Sequence, residues 1–148
     1  MKASARKFQS APELAARVAA IGWTQVTAEL DAQGCAVLHG LLTPEECSAL
    51  AEMYAEDGRF RSRVIMSRHG FGRGEYKYFS YPLPDPIAEL RPVLYAGLVG
   101  IANRWNEAMG IDVRYPASHA AFLERCHDAG QKRPTPLLLQ YDPGDYNC

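Results

Sequence analysis

An α+β fold, with helices packed on a small, mostly antiparallel sheet, is what this sequence predicts. Helical signatures gather at the start and in the middle of the chain and do not alternate strictly with strands. Strand-like runs are short and are bounded by glycine or proline. At 148 residues, 47% hydrophobic and 22% charged, the chain has enough apolar material for one core and too much for a disordered segment. The expectation is one domain over residues 1–148, with helices over 1–33 and the sheet-bearing part over 34–148.

Ser10-Ala-Pro-Glu13 has the form of a capping box, with Ser10 as cap, Pro12 where a missing amide costs nothing, and Glu13 reaching back. That helix is expected to reach Ile21, before Gly22. A second should span Thr24 to Ala32, closed by Gly34. Cys35-Ala-Val-Leu-His39 lies between two glycines and reads as a buried strand. Thr43-Pro-Glu-Glu46 is another helix start, after which Cys47, Leu50 and Tyr54 share one face until Asp57-Gly58. Arg63 to Met66 and Tyr76 to Ser80 read as strands flanking a loop that holds Gly70, Gly72 and Gly74. Tyr81 to Pro86 is a proline-rich extended connector.

A long helix should follow from Ile87 to Met109, with Pro92 disturbing or restarting its first turns. Leu94, Leu98, Ile101, Trp105 and Met109 recur every three or four residues and read as its core stripe. Pro116 opens a last helix to Ala129, before Gly130, and Thr135 to Tyr141 is the last strand.

Charge and cysteine usage narrow the function. Sixteen basic side chains against seventeen acidic ones leave a net charge of −1, so no global field draws nucleic acid or an anionic membrane, and neither is expected as a partner. Ala15 to Ile21 is interrupted by Arg17 and is too short to span a bilayer; the expected location is the cytoplasm. The four cysteines, Cys35, Cys47, Cys126 and Cys148, form no Cys-x-x-Cys pair and read as reduced, partly buried thiols. His39, His69, His119 and His127 stand in no metal-binding spacing, and no catalytic or metal-ligating residue is assigned. Arg68, His69, Arg73 and Lys77 form a basic cluster around the glycine loop, either as a solvated loop or as an anion contact at a pocket mouth. Gly70-Phe-Gly-Arg-Gly74 is no phosphate loop, because it lacks Gly-Lys-Ser/Thr.

The last strand carries the most information. Leu137, Leu139 and Tyr141 should share one face and Leu138 and Gln140 the other. Tyr141, at the strand end, either presents its hydroxyl to a ligand carboxylate or packs on the sheet with the hydroxyl at the rim.

Leu137-Leu-Leu-Gln-Tyr-Asp-Pro-Gly-Asp-Tyr-Asn-Cys148 resembles the strand and turn that precede the metal motif of iron(II)/2-oxoglutarate-dependent oxygenases. Gly34 to Cys47 resembles the entry strand and helix of that superfamily, and Arg73 to Phe79 agrees with its bacterial members. The resemblance covers about Leu30 to Cys148. It implies the N-terminal portion of a double-stranded β-helix, or jelly roll. It implies Fe(II) and 2-oxoglutarate as cofactors of the full-length protein, which would hydroxylate a small-molecule substrate while converting 2-oxoglutarate to succinate. It makes Tyr141 a cofactor-binding residue that donates to the cosubstrate, and Tyr146 a residue lining the same pocket. The family's His-x-Asp would follow Cys148, so the expectation is a truncated, inactive chain that binds neither cofactor alone. The alternative is a non-catalytic partner-binding module, with self-association through an open sheet edge.

Overall fold

The computed structural model describes residues 11–148, and the side chains of 13–148. In chain order the elements are helices α1 (Ala11–Ala19), α2 (Trp23–Gln33) and α3 (Pro44–Glu52), strands β1 (Phe60–Ile65), β2 (Gly72–Arg73) and β3 (Glu75–Phe79), helices α4 (Asp85–Ala108) and α5 (His119–Asp128), and strands β4 (Leu137–Gln140) and β5 (Tyr146–Asn147). The cap expected of Ser10 lies outside the described residues. The chain divides into two compact units, one holding Pro44–Pro84 with Arg133–Cys148, the other holding the described residues up to Thr43 with Asp85–Lys132.

The first unit contains every strand among the described residues. β1, β3 and β4 form a three-stranded antiparallel sheet in that order, and β2 pairs with β5 in a separate two-stranded ribbon. This corrects the jelly-roll expectation. Closing a sheet requires its outer strands to pair, and here β1 and β4 are both outer strands while the ribbon strands are two residues long. Among the described residues the sheets are open, and no double-stranded β-helix is formed.

Register decides which side chains meet. Arg63 stands opposite Lys77 and Ile65 opposite Glu75, while Lys77 faces Leu138 and Glu75 faces Gln140 on the other side. One face therefore carries Glu75, Lys77 and Phe79, with Lys77 and Phe79 buried. The opposite face carries Tyr76 and Tyr78 with Val64, Leu137 and Leu139. Between Phe60 and Ser62 the register slips. The bulge re-aims Arg61, whose guanidinium lies 4.4 Å from the Tyr78 ring centroid and donates to the Pro134 carbonyl at 3.1 Å. Phe79 is wholly buried, stacked on Phe60 at 4.7 Å between ring centroids, and Met66 is buried in the same unit.

The second unit is helical. α4 runs unbroken through Pro92, where an irregular start was expected. A mid-helix proline costs about 3 kcal/mol, so neighbouring contacts must offset it. One is the Trp23 ring, which lies where any side chain at Gly97 would be. Another is Asp31, which accepts from Arg104 at 3.0 Å and from the Trp105 indole at 2.6 Å, tying α2 to α4. Tyr95, Asn103 and Asn106 hold the segment after α4 through the carbonyls of Pro116, Tyr115 and Val113. α5 is capped by Ser118, which accepts from the Ala121 amide, so it starts later than Pro116. The expected α4 stripe holds only in part: Ile101 is buried, whereas Leu98 and Met109 are 40% and 62% exposed.

The expected strand at Cys35–His39 does not form. Gly34 takes a left-handed φ of 75° and closes α2 by donating to the Leu30 carbonyl, and Gly40 turns the chain again at φ 69°. No strand pairs with the run between them, and Val37 is 66% exposed.

Candidate functional site

Asp142-Pro-Gly-Asp145 follows β4 and makes a turn whose chemistry is fixed by residue type. Proline sets φ at the second position, and Gly144 supplies the positive φ, 89°, that a type II turn needs third. Asp145 closes it twice: its amide donates to the Asp142 carbonyl and its carboxylate accepts from the Asp142 amide, both at 2.9 Å. The chain then returns, and Tyr146 and Asn147 pair with Arg73 and Gly72. At Gly72 a Cβ would collide with the Tyr146 carbonyl, so only glycine permits that approach.

The two tyrosines singled out from the sequence stand at opposite ends of this turn. Tyr141 leaves β4 with its ring laid across Gly74, whose φ is 123° and whose added Cβ would sit 2.7 Å from that ring. Tyr141 is 43% exposed and Tyr146 54%. An open cleft of about 490 Å³ lies beside them, lined by Arg63, Arg73, Glu75, Gln140, Asp142 and Asp145 among others, and neither tyrosine lines it.

A charged network not anticipated from sequence occupies the neighbouring sheet face. Glu75 accepts from the Arg63 guanidinium and, at 2.8 Å, from the Tyr54 hydroxyl. The Arg63 hydrogen bond, opposed by partial burial and aided by Tyr54, holds the Glu75 carboxyl below its usual value. Burial, with Glu75 accepting its proton, pushes the Tyr54 phenol well above its ordinary range. Lys77 donates to the Tyr54 carbonyl and to Asp57, each at 2.8 Å, and its ammonium lies 4.3 Å from the Tyr54 ring centroid. The Lys77 contact holds the Asp57 carboxyl below its usual value.

The basic cluster expected around the glycine loop is thereby divided. Lys77 is buried and paired beneath the sheet, and Arg73 stands 3.6 Å from Asp145. Arg68 and His69 remain exposed, with the His69 ring stacked on Phe71 at 5.5 Å. The available signal was period-two alternation along β3, which sends Glu75, Lys77 and Phe79 to one side. A third feature is an apolar hollow of about 390 Å³ between α3 and β4, lined by Cys47, Leu50, Ala51, Tyr54, Leu138, Leu139 and Gln140.

The family model Oxygenase-NA, described as an oxygenase catalysing oxidative methylation of damaged DNA, matches residues 74–148, half of the chain. The chain belongs to this family. The matched stretch of this Oxygenase-NA member begins at Gly74 and takes in β3, β4, the Asp142–Asp145 turn and both tyrosines. Uncharacterized protein Rv2227 of Mycobacterium tuberculosis, and Uncharacterized protein MT2286 from a second strain, are each 34% identical to it over 92 residues, 62% of this chain. The aligned stretch is 37% of either relative's length. No solved structure matches the chain.

The iron that the family resemblance implies does not fit the residues present. Among the described residues no group of three or more His, Cys, Asp or Glu side chains can hold a metal ion, and residues 1–12 contain none of those types. Iron as an attribute of this chain is thus corrected along with the jelly roll. Among the described residues no helix is long and apolar enough to cross a membrane. The thiols of Cys35, Cys47 and Cys148 are exposed and that of Cys126 half-buried, all free.

Proposed function

We propose that this chain is the cosubstrate-side portion of a 2-oxoglutarate-dependent oxygenase that acts on DNA, whose iron ligands come from protein beyond these residues. The observation that carries the reading is where the family match falls. It covers β4, the turn and β5, which present Tyr141 and Tyr146. In this reading the Tyr141 hydroxyl donates to a carboxylate of 2-oxoglutarate, and Tyr146 forms a wall of the same pocket. Gly74 supports the first role, because its missing side chain leaves room for the Tyr141 ring, which is 43% exposed at the strand end.

The substrate class is taken from the family's description. With a net charge of −1 the chain offers DNA no long-range attraction, so any grip on phosphate would be local. The test is succinate formation from 2-oxoglutarate with added iron(II) and damaged DNA. The M. tuberculosis relative, which extends well beyond the aligned stretch, should turn over; the 148-residue chain should not. Absence of turnover by the relative under iron saturation would overturn the oxygenase reading.

A further inference from the structure

The β2–β5 ribbon displays an aromatic side chain to solvent on a backbone pinned from both sides. The Phe71 amide donates to the Met66 carbonyl at 3.1 Å, and the Phe71 carbonyl accepts from the Cys148 amide at 3.0 Å. His69 is fixed by its own amide bond to the Met66 carbonyl, and the Met66 amide donates to the Gly74 carbonyl, each at 3.0 Å. The segment is therefore a short, multiply tied turn. Its side chains nevertheless point outward: Phe71 is 47% exposed, and the His69 ring stacks on it with planes 24° apart. An exposed phenylalanine on a rigid turn costs solvation that a loop could avoid by folding the ring inward.

Two basic side chains stand beside this pair. Arg68 is exposed beside it, and Arg73 follows on β2, opposite Tyr146, with its side chain 64% exposed. Flat π faces flanked by guanidinium groups are the chemistry that grips unpaired nucleotides: bases stack on the rings and phosphates meet the arginines. Of the nearby carboxylates, Glu75 is engaged by Arg63, and Asp145 accepts from the Asp142 amide and stands 3.6 Å from Arg73.

We infer that the Arg68–Arg73 turn, with the His69–Phe71 stack at its centre, is a contact surface for unpaired DNA bases next to the oxygenase site. This rests on the DNA-directed reading above and adds to it the place and chemistry of the grip. Lys77 takes no part, being buried against Tyr54 and Asp57.

The test is fluorescence anisotropy of a labelled single-stranded oligonucleotide and of the matching duplex with the 148-residue chain. The single strand should bind better than the duplex. Phe71→Ala should weaken binding about fivefold or more, and Phe71→Trp should retain it. Arg68→Ala should lower the slope of log affinity against log salt by about 0.7. Circular dichroism confirms that each variant folds, and Val37→Ala, exposed in the other unit, should bind as the parent does. The inference is overturned if the chain binds no oligonucleotide, if duplex is preferred, or if Phe71→Ala and Arg68→Ala bind unchanged. Any of those results leaves the oxygenase reading intact, since succinate formation by the relative decides that separately.

Discussion

Lys77 is the residue at which charge and position part company. In a run of basic residues it reads as one more surface cation, yet its side chain is 8% exposed while that of its partner Asp57 is 89% exposed. What holds it is the Tyr54 carbonyl and the faces of Tyr54 and Phe60. Removing the ammonium would strand no buried carboxylate, because Asp57 is already in water. Lys77→Met should therefore destabilise the chain by about 1–2 kcal/mol, from one hydrogen bond and the cation–π contacts. Urea denaturation measures this, and no loss at all would show the ammonium to be idle. Glu75 gives a pH signature. Its carboxyl is held below the usual 4.5 in the folded chain, so its contribution is fully present above pH 4.5 and is lost as pH falls through the lowered value. Glu75→Gln should flatten the stability curve on that acid side, and an unchanged acid limb would refute the Arg63 pairing. Gly74→Ala combines a left-handed φ with contact on Tyr141 and should cost about 1–3 kcal/mol. The Tyr141 ring should shift in its NMR spectrum, and a silent substitution would mean the ring does not lie there.

At the scale of elements, the legible features were those coded locally. Thr43-Pro44-Glu45-Glu46 places the start of α3, and Gly34 and Gly130 sit just past α2 and α5 with positive φ. The strands at β1, β3 and β4 were legible as apolar or aromatic runs, within a few residues at each end. Cys35–His39 was not, because an apolar run becomes a strand only when another strand is beside it, and sequence does not name the partner. The unbroken α4 failed for a related reason. Proline propensity is local, whereas the Trp23 ring on Gly97 and the Asp31 contacts to Arg104 and Trp105 come from residues far off in sequence. Gly97→Ala should push against that ring and cost about 1–3 kcal/mol. A thermal melt reports it, and an unchanged midpoint would place Trp23 elsewhere.

For the whole molecule, family membership was legible from the segments that fall within residues 74–148, while the resemblance drawn for Gly34 to Cys47 lies outside that match, and the architecture it suggested was not this chain's own. The jelly roll belonged to the resemblance, whereas pairing leaves an open three-stranded sheet and a short ribbon. The strand and turn that carry Tyr141 were legible from the sequence pattern, while the Arg63–Glu75–Tyr54 network draws on residues far apart in sequence and no single window displays it. What these parts add up to is a member of an oxygenase family in which no group of three or more metal-binding side chains forms among the described residues. The most direct measurement is iron-dependent succinate formation from 2-oxoglutarate, run side by side on the 148-residue chain and on the M. tuberculosis relative. Turnover by the relative and none by the chain is the expected result. Turnover by the chain alone, or by neither protein, would contradict it.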